Sequence, residues 1–430
     1  MKKPLMRIPY TELFPPPSII PPTARSLPGA VAALQEFLHA PPLPLQPPSS
    51  QTLNSGPGSS QPPGSPLPRS TVVLTGAGLS VASGLPDYRG LNGTYRVNKT
   101  YRPIYYPEFV SNHPARQRYW ARSFLGWSTL QNAHPNAAHY ALRDLAGMGF
   151  LSGVITQNVD SFHPRAHPGL PTLELHGYLR AAVCVTCGGE VEREGFQKEL
   201  ARLNPRWEGF LRGVLVEAPG ALETEDPRER ERRGVRMNPD GDVEVPGAPY
   251  TTFRYPACPA CLARSSSAGK GTGTGPLVLA DGVTPGRVEV DDDGAWHPAG
   301  NAGVLKPAVV MFGESIADRV KTAAEEAIDG AGKLLVLATS MATYSAWRLV
   351  KRAKDRGMPI GVVNIGGVRG EDMFFSGLDP GQAGGQGVRL EMATDELLPA
   401  LVREMQQSGQ GWSPSAESSR GENVFKDMLS

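Results

Sequence analysis

The chain has 430 residues, 40% of them hydrophobic, enough to bury a large core as one large domain or two to three smaller ones. A formal net charge of +1 gives no electrostatic reason to expect nucleic acid or an anionic membrane as partner, and no apolar run is long enough to span a bilayer. The 42 prolines and 49 glycines exceed what one compact domain uses, so part of the chain is expected to be linker.

Residues 1–27 are proline-rich, lack apolar periodicity and are read as disordered. Met1-Lys2-Lys3 is basic, but prolines interrupt the residues after it, so the stretch does not read as a secretory signal. From Gly29 to Ala40 apolar residues recur at helical spacing and predict a short amphipathic helix, assigned to residues 28–40. Residues 41–69 are Pro, Gly, Ser and Gln with almost no charge, the composition of a flexible linker. Within them PLPLQPP resembles a polyproline ligand, with a solvated spacer as the plainer reading.

Ser70 to Thr75 is a β-branched apolar run that ends in Gly76-Ala77-Gly78, a strand entering a glycine turn. Comparable runs recur at Gly153–Thr156, Thr172–Leu175, Pro307–Phe312, Lys333–Leu337 and Ile360–Asn364. Helical stretches separate several of them, at Asn136–Leu145, Ile316–Ala331 and Tyr344–Arg356. Strands without a polar face, alternating with helices, predict an α/β fold whose parallel sheet is covered on both sides. Residues 70–179 and 304–403 are assigned to that sheet domain, 180–303 to a smaller zinc-binding module with insertions, and 404–430 to a loose polar tail. The insertions include the mixed-charge run Glu223–Arg233 and the flexible Ser265–Gly275.

All four cysteines fall in Cys-x-x-Cys pairs, Cys184 with Cys187 and Cys258 with Cys261. Disulfides are the weaker reading without a secretory signal; four thiolates suit one structural zinc and leave no open position for catalysis. Five further segments lie where buried strands end. Gly76-Ala77-Gly78-Leu79-Ser80 could bring backbone up to a pyrophosphate or could be a tight turn, and it lacks Gly-x-Gly-x-x-Gly spacing. Thr156 to Asp160 could fix a ribose and a carboxamide, or cap the next helix through Asn158 or Asp160. His176, between Leu175 and Gly177, could accept a proton near neutral pH or be a hydrogen-bonded core histidine. Ala338–Met341 and Asn364–Gly367 each follow a buried strand, as adenosine-contacting loops do and as ordinary turns also do.

In order, GAGLSVASGLPDYRG, TQNVDSFH, LELHG, CVTC, CPAC, LKPAVVMFGES, ATSMATYSAWR and VNIGG resemble the sirtuin family across nearly all of residues 70–400. YRVNKTYRPIYY at 95–106, RQRYWARSFLGW at 116–127 and LNPRW at 203–207 are similar to the class II branch, which includes a mitochondrial ADP-ribosyltransferase and lipoamidase. The resemblance implies a Rossmann-like domain and a smaller zinc module with NAD in the cleft between them, and makes 28–40 the first helix of the catalytic domain. It places Gly76, Ala77, Gly78, Ser80, Pro86, Asp87, Tyr88 and Arg89 over the phosphates and nicotinamide ribose. Gln157, Asn158, Val159 and Asp160 would bind ribose and carboxamide, with Asn158 and Asp160 also counted catalytic. His176 would be the general base, and Ala338, Thr339, Ser340, Asn364, Ile365 and Gly366 would hold the adenosine half. Two departures stand out: Ala338 where the family often has glycine, and Ser161-Phe162-His163-Pro164 after Asp160.

The implied activity is NAD-dependent removal of acyl groups from protein lysines, giving nicotinamide and O-acyl-ADP-ribose, with acylated-lysine proteins as partners and no nucleic acid or membrane. Mono-ADP-ribosyl transfer would use the same cleft. A non-catalytic NAD or ADP-ribose sensor is the alternative from another class, and it would need no His176 base. The branch points to the mitochondrial matrix, although Glu12 and the prolines suit a transit peptide poorly and leave cytosol or nucleus open.

Overall fold

The structure is a computed structural model that describes residues 11–12, 14–41, 70–98, 101–217, 236–245, 247–268, 286–378 and 383–408. Its strands are β1 (Thr71–Thr75), β2 (Leu151–Thr156), β3 (Thr172–Glu174), β4 (Gly177–Cys184), β5 (Glu190–Glu192), β6 (Arg236–Met237), β7 (Val243–Glu244), β8 (Leu305–Val309), β9 (Lys333–Leu337), β10 (Ile360–Val363) and β11 (Gly387–Leu390). Six of them make one parallel sheet in the order β11-β10-β9-β1-β2-β3. The chain builds outward from β1 to one edge and then returns to β1's other side. The order therefore reverses between β1 and β9, and ligands of open α/β sheets bind at such a switch.

Side-chain alternation explains why both faces of this sheet are covered. Val73, Val154, Leu335, Leu337, Val363 and Val388 point into one core with the helices Leu27–His39, Ala137–Gly147 and Thr394–Gln407. Val72, Leu74, Ile155, Leu334, Val336 and Val362 point into the other, under the helices Asp318–Asp329 and Tyr344–Asp355. Each such fully buried aliphatic side chain contributes roughly 1.5–3 kcal/mol. Helix starts are set locally: Ser26 Oγ accepts from the Gly29 N–H with Pro28 in the first turn, and Asn112 accepts from Ala115 N–H with Pro114 likewise. Lys333, fully buried in β9, donates from Nζ to Phe37 O at 2.6 Å and Leu38 O at 2.8 Å. It thereby satisfies carbonyls at the end of the first helix, which would otherwise be buried without partners.

A second, antiparallel sheet of order β5-β4-β8 and the long helix His113–Asn132 share a separate core with Phe253, Tyr255 and Trp296. Here the structure corrects the strand reading. The apolar run at Pro307, expected in the parallel sheet, is β8 and pairs with β4 instead, while β11 joins the parallel sheet unforeseen. Both sheets bury apolar runs of similar length, so local pattern could not assign β8. A second correction concerns the N-terminus. Residues 14–26 are not disordered: Ile20 pairs antiparallel with Arg389 and Pro22–Arg25 forms a 3-10 turn. The last helix also runs to Gln407, four residues into the expected tail. The linker from 42 to 69, the charge run Glu223–Arg233, residues 269–275 of the segment expected to be flexible and the tail from 409 lie outside the described residues, whereas residues 265–268 of that segment end the helix Pro259–Ala268. Among the described residues no helix is long and apolar enough to cross a membrane.

Gly177 joins the two sheets. It opens β4 with φ +75°, and a Cβ there would lie 2.1 Å from Ala308 O. Gly177→Ala is expected to destabilise the protein by roughly 2–4 kcal/mol, because it combines left-handed strain with a backbone clash. A urea unfolding curve unchanged from wild type would contradict this.

Candidate active site

The glycine turn leaves β1 at its carboxyl end as a short 3-10 helix, Ala77–Ser83, and β9 ends beside it in Ala338. Gly78 N–H donates to Ala338 O at 3.1 Å, and a Cβ on Gly78 would come within 3.2 Å of the Ala338 Cβ. Ala338 holds φ +50°, a left-handed conformation that costs a non-glycine residue about 1–2 kcal/mol. Beside this crossing lies a cleft of about 1160 Å³, somewhat larger than the roughly 300–1,000 Å³ that small-molecule sites use. Ala77, Gly78 and Ser80 line it, as do Pro86, Asp87, Tyr88 and Arg89. Gln157, Asn158, Val159, Asp160 and His176 line it from β2 and β3, and Ala338, Thr339, Ser340, Asn364, Ile365 and Gly366 from β9 and β10. Gly76 alone of the expected residues is not on the cleft wall. Its absent side chain makes room for Thr339, whose Cβ would lie 2.5 Å from a Cβ at position 76.

The polar groups after β2 are cross-linked. Ser80 Oγ donates to Asp160 Oδ2 at 2.7 Å and accepts from Asn158 Nδ2 at 3.2 Å. The other Asp160 oxygen accepts from the N–H of Phe162, the first residue of a short helix whose N-cap is Ser161 and neither Asn158 nor Asp160, at 2.9 Å, and the carboxyl also lines the cleft. Burial pushes its pKa up, against the lowering effect of those two hydrogen bonds. Asp87 is likewise raised by burial while accepting from Gly90 N–H at 2.9 Å. Gln157 Nε2 donates to Thr75 O at 3.1 Å and Thr339 Oγ1 at 2.9 Å, and its Oε1 accepts from Thr343 Oγ1 at 3.0 Å. The side chain thus ties β1, β2 and the loop after β9 together across the switch point.

His176 has a defined tautomer. Its Nδ1 lies 3.1 Å from Gln157 O, and a carbonyl can only accept, so Nδ1 carries the proton. Nε2 is then an acceptor, 2.8 Å from Ser345 Oγ. Burial lowers the imidazole to about 4, so the ring is neutral at pH 7.

Away from the cleft, Cys184 Sγ lies 3.7 Å from Cys261 Sγ and Cys187 Sγ 3.7 Å from Cys258 Sγ, with all four sulfurs within 4.8 Å of one another. A disulfide needs about 2.05 Å. Zinc–sulfur bonds of about 2.3 Å arranged tetrahedrally put the sulfurs about 3.8 Å apart, so the thiols fit one closed structural zinc. Thr186 N–H, at 3.4 Å from Cys184 Sγ, supplies an outer hydrogen bond.

A model of the Sir2 family matches residues 76–345 of the chain. The chain belongs to the Sir2 family. It is 39% identical over 307 residues to the NAD-dependent protein deacylase SIR4 of Batrachochytrium dendrobatidis, covering 70% of this chain and 83% of that protein. It is 34% identical over 303 residues to the NAD-dependent protein deacylase SRT2 of Arabidopsis thaliana, covering 70% and 67%. It is 30% identical over 335 residues to the bovine protein named NAD-dependent protein lipoamidase sirtuin-4, mitochondrial, covering 78% and 82%.

This Sir2-family chain also holds a buried histidine cluster that sequence reasoning missed. Thr75 Oγ1 donates to Thr156 Oγ1 at 2.8 Å and lies 2.9 Å from His163 Nε2, whose Nδ1 is 2.9 Å from His167 Nε2. The His139 ring packs 5.0 Å from that of His163. Burial lowers all three imidazoles, His139 to about 3, and Arg143 adds to the lowering at His167. The folded state therefore stays neutral where the unfolded chain, near pKa 6.5, takes up protons, and stability is lost as pH falls below 6.5. Removing one such group should shrink the loss. Between pH 7 and 5, His139→Gln is expected to lose about 2 kcal/mol less stability than wild type in urea unfolding at both pH values. Equal losses would show that His139 is not held neutral.

Proposed function

We propose that the chain is an NAD-dependent protein-lysine deacylase in which the switch-point cleft binds NAD and His176 is the general base. One observation carries the reading. Glycine turn, Asn158–Asp160 pair and neutral His176 arise from three separate segments and line one cleft at the carboxyl ends of the parallel strands. The names of the relatives support the same activity.

Bound NAD supplies a cationic N-glycosidic bond that releases nicotinamide and leaves its ribose open to the acyl-lysine oxygen. The chain's residues supply position and proton handling. The Ala77–Ser80 turn offers backbone close to the phosphates without a side chain at Gly78. Ser80 holds Asn158 and Asp160 at fixed separation, so amide and carboxyl can orient the nicotinamide ribose and carboxamide. Gln157 keeps His176 Nδ1 protonated through its carbonyl, which directs the basic Nε2 lone pair to a ribose hydroxyl in place of Ser345. Thr339, Ser340, Asn364, Ile365 and Gly366, which line the same cleft, would hold the adenosine half. The four cysteines hold zinc as a structural staple. The bovine relative's name supports membership of the mitochondrial lipoamidase branch and a mitochondrial location, with the matrix as the finer reading of our own.

Mass spectrometry of the purified protein with NAD and a panel of acyl-lysine peptides, including lipoyl-lysine, tests this. Nicotinamide together with O-acyl-ADP-ribose is expected. ADP-ribose attached to protein would instead identify a transferase, and absence of NAD consumption by folded protein would leave a sensor.

A further inference from the structure

The chain before the first helix reaches the cleft, although its proline-rich composition predicted disorder. Its anchor is a short antiparallel bridge on the outer edge of the parallel sheet: Ile20 N–H donates to Arg389 O at 3.0 Å and Arg389 N–H to Ile20 O at 2.9 Å. Ile19 is buried in the same core as the first helix. From there the chain turns back over the loop after β10. Pro15 O and Phe14 Cβ occupy the space a side chain at position 367 would need, 2.0 and 2.9 Å from a Cβ built on Gly367. Glu12, Phe14 and Pro16 line the cleft with Asn364 and Gly366.

Arg389 links this segment to the loop. Its backbone pairs with Ile20 while its fully buried guanidinium donates to Asn364 O at 3.0 Å and Gly366 O at 2.6 Å, and pairs with Glu371 at 2.8 Å. The position of residues 14–20 and that of the 364–366 loop are therefore coupled through one residue, Arg389, by its backbone on one side and its guanidinium on the other. The chemistry of the two ends of the cleft differs. At the glycine turn, backbone polar groups and small residues suit phosphates. Here Phe14 and Ile365, the latter 56% exposed, present apolar surface, which suits the flat face of a nucleobase.

We propose that Glu12 and residues 14–20 form a lip of the dinucleotide site and that Phe14 is a binding residue for the adenine half of NAD. The proposal rests on the reading that NAD occupies this cleft. The lip is selective for ligands that carry the nucleobase, because a nicotinamide mononucleotide would not reach it.

The test is calorimetric titration of ADP-ribose into the full chain and into Phe14→Ala, Phe14→Tyr and Gly367→Ala, with the KM for NAD measured on an acyl-lysine peptide. Base–aromatic stacking contributes enough to affinity for losses of roughly 5- to 100-fold. Phe14→Ala is expected to weaken ADP-ribose and raise KM for NAD within that range with kcat retained. Phe14→Tyr should keep wild-type affinity. Gly367→Ala, whose Cβ displaces Pro15, should behave like Phe14→Ala. Unchanged affinity in Phe14→Ala and Gly367→Ala, beside a wild type that binds, would overturn the lip and leave the cofactor reading standing. Tighter binding in those variants would overturn it as well, since the segment would then obstruct the site. A wild type that binds no ADP-ribose would overturn lip and cofactor reading together.

Discussion

His176→Ala is expected to lower the rate of deacylation by about 10²- to 10⁴-fold, the range that a positioned general base supplies. The variant should fold, because the residue is only partly buried at the cleft wall and the neighbouring Leu175 carries the packing. The wild-type ring gives its Nδ1 proton to Gln157 O and leaves Nε2 as acceptor toward Ser345. Alanine removes that lone pair. Nicotinamide leaves before any ribose hydroxyl must lose its proton, so exchange of labelled nicotinamide into NAD should survive in the variant. That separation distinguishes a lost base from a collapsed site. The pH profile gives a second reading. Because burial holds the imidazole at about 4, the basic form is present from neutral pH down to that value. The acid limb of kcat/KM assigned to His176 should therefore lie near pH 4, well below the 6.5 of an exposed histidine. Deacylation at the wild-type rate in His176→Ala would remove this residue from the base role.

Loss of zinc is the second large effect. In Cys258→Ser, or after exhaustive chelation, the bound metal should fall from one per chain to none, and deacylation should fall by more than about 10²-fold with it. Structural zinc contributes on the order of 10 kcal/mol to small metal-folded modules, more than a domain's whole margin of stability. The effect should reach the cleft along the chain. β4 ends at Cys184 and begins at Gly177, the residue after His176, and β8 pairs along it. Val310 N–H also donates to His176 O at 2.8 Å. When the sulfur cluster is released, the strand pair that fixes the base loses its far end. Metal analysis, thermal unfolding and activity on the same sample check this. A Cys258→Ser protein that keeps full zinc and the wild-type melting temperature would show that the four sulfurs are not the ligand set.

Most of the candidate site was legible because its pieces are local. Gly76 to Ser80 follow an apolar strand within one turn, Gln157 to Asp160 follow another, and each cysteine pair is one knuckle. The close approach of Thr339 to Gly76, by contrast, joins distant parts of the chain and lies in no window of sequence. Ser345 and Thr343 were missed for the same reason, since only folding brings them to His176 and Gln157. The histidine cluster had a sequence signal in the spacing of His163 and His167 around one short helix, but nothing local joined His139 to them.

The sequence by itself determined the α/β class, the strand-end positions of the polar motifs and the four-thiol zinc set, because these depend on periodicity and on residue chemistry within a few positions. Tertiary structure decided the rest. It placed β8 in the antiparallel sheet, since any buried strand shows the same apolar run and only the partner edge distinguishes them. It ordered residues 14–26, since proline-rich backbone has no periodicity of its own and takes its conformation from the sheet edge and the Gly367 surface it meets. It also set the protonation of His176, since a neutral imidazole at pH 7 results from burial and a carbonyl partner that the fold alone supplies.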